Sequence, residues 1–388
     1  MFMEDGQVAA TRLAEPDRRS HELTELRLEV RRLLAEELAA GRYEPQVDSW
    51  QSGIDPQFSL RLAERGWVGM TIPTRYGGHG RSELERFTVN EELLAAGAPV
   101  AAHWIADRQM APSILRNGTE EQRHRYLPGI ARAKRLFAIG MSEPDSGSDL
   151  ASVRTRAYQT DDGWRLIGTK LWTSGAHIAT NIVALARTDE SPDRHAGLSQ
   201  FIIDLPHPDV HVNPIITIDG RHHFNEVVFD EAVLPMSALL GRRGDGWKQV
   251  TQELANERSG PERILSTMPL LREWAGLPQI YSDPAARLEL ARLVSRLTAL
   301  RQMSLAVAQL LRDGANPAIE AAMVKDLGTS FESEIVEVIR RFMELEIDPS
   351  GEGITRMLAD AILHTPAFTL RGGTNEVLRS IVAKSLKP

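Results

Sequence analysis

The sequence predicts an α+β multidomain protein in three parts: a helical N-terminal domain, a small middle β-barrel or sandwich domain, and a C-terminal four-helix bundle. Three observations carry this reading. Apolar residues recur every three or four positions from Leu23 to Leu38, short β-prone runs crowd between Leu136 and Pro235, and helical spacing returns beyond Pro235. The expected boundaries are residues 21–136, 137–237 and 238–388, after a flexible arm of residues 1–20.

In the first part Leu23, Leu26, Val30, Leu33, Leu34 and Leu38 make one face of an amphipathic helix, and Gly41 can stop it. Ser82 with Glu85, and Thr119 with Gln122, are spaced as capping boxes, in which a hydroxyl and a longer polar side chain satisfy each other's backbone N–H groups. In the middle part the runs Trp164–Ile167, Asn181–Leu185, Gln200–Ile203, Val210–Val212 and Asn225–Phe229 are separated by Asp-Gly, Asn and Pro turn signals. In the last part Leu288, Leu290, Leu293, Leu297 and Leu300 mark one helix and the Ala-rich stretch from Ala318 to Met343 another.

Composition narrows the function classes. A chain of 388 residues with 42% hydrophobic content can bury a large core, and its net charge of -8 with scattered Lys and Arg shows no electrostatic footprint for nucleic acid. The absence of cysteine excludes disulfides, thiolate metal sites and cysteine nucleophiles. Arg221, His222 and His223 lack metal-ligand spacing and are expected in a loop before the strand at Asn225; His103, His124 and His364 are expected in surface or packing roles, so no metal is implicated. No apolar run reaches the roughly 18 to 20 residues of a membrane span. The N-terminus has neither a secretory apolar core nor the acid-poor character of a transit peptide, and the expected location is cytoplasmic. No Gly-x-Gly-x-x-Gly follows a strand, which removes the signature of a doubly wound nucleotide fold.

Three segments carry chemistry. Ser142-Glu143-Pro144-Asp145-Ser146-Gly147-Ser148-Asp149 leaves the apolar stretch Leu136–Ile139; Gly168-Thr169-Lys170-Leu171-Trp172-Thr173-Ser174 follows; Gly372-Gly373-Thr374-Asn375-Glu376-Val377 lies near the C-terminus. Taken singly they have plain readings: a polar turn leaving a strand, a core tryptophan, a helix start capped by Thr374 or Asn375. Taken in this order and spacing, they resemble the acyl-CoA dehydrogenase family over nearly everything from Asp55 onward.

The resemblance implies FAD, lying between the β domain and the C-terminal bundle. Ile139, Met141, Ser142 and Ser148 fall on the flavin loop, with Ser148 also near CoA; Trp172 and Ser174 flank the ring; Thr374 and Glu376 belong to the C-terminal segment that touches cofactor, and Gly373 to the substrate side. Serine replaces the usual threonine at positions 142 and 174, retaining the hydroxyl. The implied reaction is α,β-dehydrogenation of acyl-CoA to enoyl-CoA, with the proton going to a carboxylate and the hydride to flavin N5. The developing enolate would be stabilised by a ribityl hydroxyl and a backbone N–H, which Gly372 can still offer.

Many relatives place the catalytic carboxylate just before the last Gly-Thr pair, where this chain has Gly372. A subset places it on the helix opening the bundle, directly before an arginine; the matching segment here is Leu254-Ala255-Asn256-Glu257-Arg258-Ser259-Gly260-Pro261. Glu257 is therefore the expected base, in an apolar cavity that would raise its pKa towards roughly 6 to 7. Arg258 is expected to orient the helix or contact CoA, and Glu253 and Glu262 are the fallback carboxylates. As a bare dipeptide, Glu257-Arg258 also reads as a solvated pair on a helix.

The family's Arg-x-x-Phe-Gly and Gln-x-x-Gly-Gly-x-Gly segments, which reach a neighbouring subunit's flavin, are replaced by Ile280–Arg287 and Asp348–Gly353. This resembles a divergent bacterial branch with some mixed tetramers. Expected partners are an acyl-CoA or carrier-protein-bound acyl thioester, an electron-transfer protein, and either identical copies, as a dimer or tetramer, or a related subunit in a heterotetramer. The alternatives are a carrier-protein-tethered dehydrogenase, a flavin monooxygenase of the same fold, and a non-catalytic subunit.

Overall fold

The computed structural model describes residues 21–343 and 348–386; the expected N-terminal arm, residues 1–20, lies outside them. Helices α1 (His21–Ala39), α2 (Ser49–Ser52), α3 (Pro56–Glu64), α4 (Glu83–Ala95), α5 (Ala101–Ile105), α6 (Ala111–Asn117) and α7 (Glu120–Ala131) come first. Eight strands follow: β1 (Phe137–Gly140), β2 (Arg156–Thr160), β3 (Gly163–Ser174), β4 (Asn181–Arg187), β5 (Leu198–Asp204), β6 (Val210–Ile216), β7 (His222–Leu234) and β8 (Leu239–Leu240). The chain then returns to helix in α8 (Gly246–Glu257), α9 (Met268–Ala275), α10 (Pro278–Ser282), α11 (Pro284–Arg312), α12 (Ala318–Phe342), α13 (Gly353–Phe368) and α14 (Asn375–Ser385).

The residues sort into two compact units. One gathers Ser49–Ser82 and Ala98–Glu253, with all eight strands; the other gathers α1, α4 and Leu254 onward. In the β unit the strands run in the order β6-β7-β3-β2-β4-β5-β8, and β1 pairs with β4 in parallel. Strands β4 and β5 are buried on both faces: Ile182, Ala184, Phe201 and Ile203 join the sheet's own core, while Val183 and Ile202 pack with Met110, Ile114, Tyr126 and Ile130. Their unbroken apolar runs follow from this, whereas β7 alternates with one face wetter. The Thr119 capping box forms as expected: its hydroxyl accepts from the Gln122 N–H at 3.2 Å while the Gln122 amide accepts from the Thr119 N–H at 3.0 Å. Gln122 then donates to the carbonyls of Ser237 and Leu239 at 2.8 and 2.9 Å, fastening α7 to the strand end.

The helical unit contains the bundle α11–α14. Leu293 and Leu300 are buried on α11, but Leu288 is largely exposed, so the apolar stripe is only partly core. Gly41 ends the first helix in the left-handed region, φ 63°. His222 and His223 correct the sequence expectation: they open strand β7 rather than lying in a loop, and the His222 ring stacks on His177 at 4.0 Å. Histidines seldom advertise a strand, and the pairing of β7 with β6 and β3 decides the matter. Among the described residues no helix is long and apolar enough to cross a membrane, and no group of three His, Cys, Asp or Glu could hold a metal.

Candidate active site

In the β unit, strand β1 ends at Gly140 and releases the loop carrying Met141, Ser142 and Ser148, with Ile139 half-buried on the strand itself. A buried ion pair fastens this loop. Lys170 on β3 has no exposed side-chain surface and donates Nζ to Glu143 Oε1 at 2.7 Å and to the Met141 carbonyl at 3.1 Å. Glu143 also accepts from the backbone N–H groups of Arg154 and Thr155 at 2.6 and 2.9 Å. Burial pushes the Lys170 amine down to about 8, with Glu143 opposing the shift; burial would raise the Glu143 carboxyl, but Lys170 and these N–H groups hold it below the usual range. The Leu171 N–H donates to the Ser142 carbonyl at 2.8 Å, so the first two motifs meet.

The same fastening shapes the second motif. The ladder between β3 and β7 slips between Lys170 and Thr173, and Trp172 in that irregularity has φ 58°. A left-handed tryptophan costs roughly 1–2 kcal/mol. It is 56% exposed, held edge-on against Phe224 at 5.7 Å, so the reading of Trp172 as a core aromatic is overturned. Ser174 Oγ accepts from Gln51 Nε2 at 2.7 Å, which leaves the hydroxyl proton to donate elsewhere. Ser148 lies exposed on the loop beyond the Glu143–Ser146 turn and is not drawn into the Lys170 network. An exposed, strained indole beside a pinned loop, with the Ser142 and Ser174 hydroxyls close by in sequence, fits the flat ring and polar edge of a flavin.

In the helical unit the third motif turns through Gly372 and Gly373, φ 69° and 87°, into α14. Thr374 caps that helix, accepting from the Val377 N–H at 3.3 Å, so the plain helix-start reading also holds. Glu376 is exposed in the first turn, its pKa lowered by its own backbone N–H and then the Thr374 hydroxyl. The two candidate base positions come together here: a β-carbon built on Gly372 would meet Glu257 Oε1 at 3.1 Å. Arg258 donates Nε to the Gly372 carbonyl at 2.9 Å.

Glu257, at the end of α8, keeps 19% of its side chain exposed. Its Oε1 accepts from Arg263 Nη2 at 2.9 Å. Arg263 was invisible in the sequence because nothing in the run Pro261–Arg263 announces a fully buried guanidinium. Of the fallback carboxylates, Glu253 belongs to the β unit, buried and accepting from Ser113 Oγ at 2.7 Å and Gln200 Nε2 at 3.3 Å, and Glu262 is buried. Asn375, the other cap candidate, is the first residue of α14 and is buried, its Oδ1 accepting from Lys325 Nζ at 2.7 Å and from the Thr329 hydroxyl at 3.2 Å. Burial brings Lys325 down to about 7, with Arg263 and Arg371 adding to the shift.

The chain belongs to the acyl-CoA dehydrogenase family: family models for the N-terminal, middle and C-terminal acyl-CoA dehydrogenase domains match residues 20–134, 138–232 and 244–387. It is accordingly an acyl-CoA dehydrogenase, an oxidoreductase of a flavin-dependent family. It is similar to acyl-CoA dehydrogenase IpdE1 of Mycobacterium tuberculosis, 33% identical over 84% of this chain and 86% of that one. IpdE1 of Mycolicibacterium smegmatis is 31% identical over 94% and 97%. The structure named Tcur3481-Tcur3483 steroid ACAD superposes with a TM-score of 0.84 at 28% identity, covering 95% of this chain and 97% of that one. The ChsE4-ChsE5 complex from Mycobacterium tuberculosis gives 0.78 at 28% identity, covering 94% and 97%.

Proposed function

We propose that the chain performs α,β-dehydrogenation of an acyl-CoA thioester with FAD bound, Glu257 taking the α-proton. One observation supports this above the others: Glu257 Oε1 stands 3.1 Å from the place where a side chain at Gly372 would begin, so the carboxylate missing from one family position is supplied at the other. FAD, when bound, would supply the acceptor for the β-hydride, with an electron-transfer protein as the expected partner for its reoxidation.

The chain's own residues divide the remaining work. Trp172 offers its indole face to the ring, Ser142 and Ser174 offer hydroxyls to its polar edge, and Met141 and Ile139 provide apolar wall. Because Gln51 donates to Ser174 Oγ, that hydroxyl is oriented to donate to a cofactor acceptor. At Glu257 an O–H bond forms as the substrate's α-C–H bond breaks, and the freed electron pair becomes the new double bond as hydride leaves the β-carbon. Gly372 and Gly373 leave their backbone uncovered by side chains, with the Gly372 N–H available to the thioester carbonyl. Arg258 donates Nε to the Gly372 carbonyl and so orients the turn, with its terminal nitrogens left to the role towards CoA that the resemblance implies.

The name steroid ACAD borne by a similar structure supports testing ring-bearing acyl groups beside straight and branched ones. The experiment is anaerobic bleaching of the flavin band by a panel of acyl-CoA and carrier-protein thioesters. Glu257→Gln is expected to keep flavin yet lose about 10³-fold in reduction rate; near-unchanged reduction removes Glu257 from the mechanism.

A second reading, a subunit that works only beside a related chain, is favoured by the paired names of the two similar structures. A colourless protein that gains flavin only on co-expression with a second polypeptide would put it first.

A further inference from the structure

Arg263 ends the short turn Pro261–Arg263, and its side chain has no exposed surface. It grips one residue twice: Nη2 donates to Glu257 Oε1 at 2.9 Å and Nε to the Glu257 carbonyl at 3.2 Å. The second bond satisfies a carbonyl that the end of α8 would otherwise leave without an intrahelical partner, and the two together fix the carboxylate relative to its own backbone. The same Nη2 lies 2.8 Å from where a β-carbon on Gly372 would stand, closer than real β-carbons approach. Guanidinium, carboxylate and the vacant side-chain position thus compete for one small volume.

We propose that Arg263 is a positioning residue for the base: it holds the Glu257 carboxylate against the Gly372–Gly373 turn. The inference rests on Glu257 being the base. Arginine suits the task where lysine would not, because two nitrogens in a rigid fork must reach two acceptors of one residue. Burial lowers the affinity of the guanidinium for its proton, with Glu257 opposing, but an arginine starts high enough to remain a cation.

The test is a double-mutant cycle on the rate of flavin reduction in the holoenzyme. The probe is whichever thioester of octanoyl-CoA, isobutyryl-CoA and a steroid-side-chain CoA reduces the wild type fastest. Flavin content, thermal midpoint and thioester Kd are recorded for each variant. Arg263→Gln is expected to slow reduction ~10²-fold, the cost of misplacing a reacting group by about an ångström, with flavin content retained and Kd little changed. Added to Glu257→Gln it should cause no further loss, because the residue it positions is already gone.

A wild-type rate in Arg263→Gln, or the same fold-loss repeated on the Glu257→Gln background, overturns the positioning role and leaves the base assignment standing. A wild-type rate in Glu257→Gln sinks the base assignment and this inference with it. Should Arg263→Gln not fold, Arg263→Lys decides: it keeps the cation and loses one of the two bonds, so reduction about tenfold slower at unchanged Kd is expected. An unchanged rate in that variant overturns the proposal.

Discussion

Asp48 and Arg371, 323 positions apart, meet at 2.6 Å in the interior of the helical unit. Arg371 also donates to Ser266 Oγ at 3.2 Å, and His364 lies 3.6 Å from the same carboxylate. Since Arg371 immediately precedes Gly372, the pair anchors the entry to the turn beside Glu257. Burial alone would raise the Asp48 carboxyl, but Arg371, and then His364, bring it down to about 2.

Asp48→Asn should therefore destabilise the protein by about 3 kcal/mol, because it leaves a buried guanidinium short of its counter-charge. The wild-type carboxylate contributes stability above its unfolded value near 3.8 and loses it as pH falls through about 2. Urea unfolding should show the variant less stable than wild type throughout about pH 5 to 8, with a gap whose size varies with pH because Asp48 also raises Glu332. A gap that closes anywhere in that range contradicts the assignment.

Glu332 gives the opposite sign. Burial raises it to about 7, against Arg371 and Ser266, whose N–H donates to Oε1 at 2.7 Å. Such a group stabilises fully below its unfolded value of 4.5 and loses that contribution as pH rises through about 7. Replacement by glutamine should flatten the decline in unfolding free energy across this window, a change on the order of 3 kcal/mol. Parallel curves for the two proteins would refute it.

Trp172→Gly separates cofactor binding from folding. The substitution removes a left-handed, exposed tryptophan, so stability of the flavin-free protein should stay level or rise by up to about 1 kcal/mol. Flavin retention through gel filtration should fall. Loss of stability together with retained flavin would mean that the indole supports the fold and not the cofactor.

Lys170→Met strands Glu143 as a buried carboxylate and frees the loop at Met141, so thermal stability should drop by roughly 3 kcal/mol and flavin content with it. Lys170→Met combined with Glu143→Gln should recover part of the stability, because the remaining group is neutral. No recovery in the double variant would show that the charge pairing is not what holds the loop.

Legibility in the sequence followed the range of the interaction. The helices at Leu23–Leu38 and Ala318–Met343, the Thr119 cap and the strands at Asn181 and Gln200 rest on local spacing, and they stand where the spacing put them. Strand β2 was missed because only Ala157 of its five residues is buried, which leaves no apolar alternation to read. Glu257 could be named through a resemblance, but its surroundings could not. Lys170 with Glu143 and Arg263 with Glu257 are polar pairs closed by tertiary folding, and a charged residue in a sequence looks the same whether it will be solvated or enclosed.

The crowding at Gly372 also sets what a side chain at that position would meet. Its β-carbon would arrive 2.8 Å from the end of the Arg263 guanidinium and 3.1 Å from Glu257 Oε1, on a backbone of φ 69° that favours glycine, so the guanidinium would have to shift and the new residue would stand strained even after it had done so.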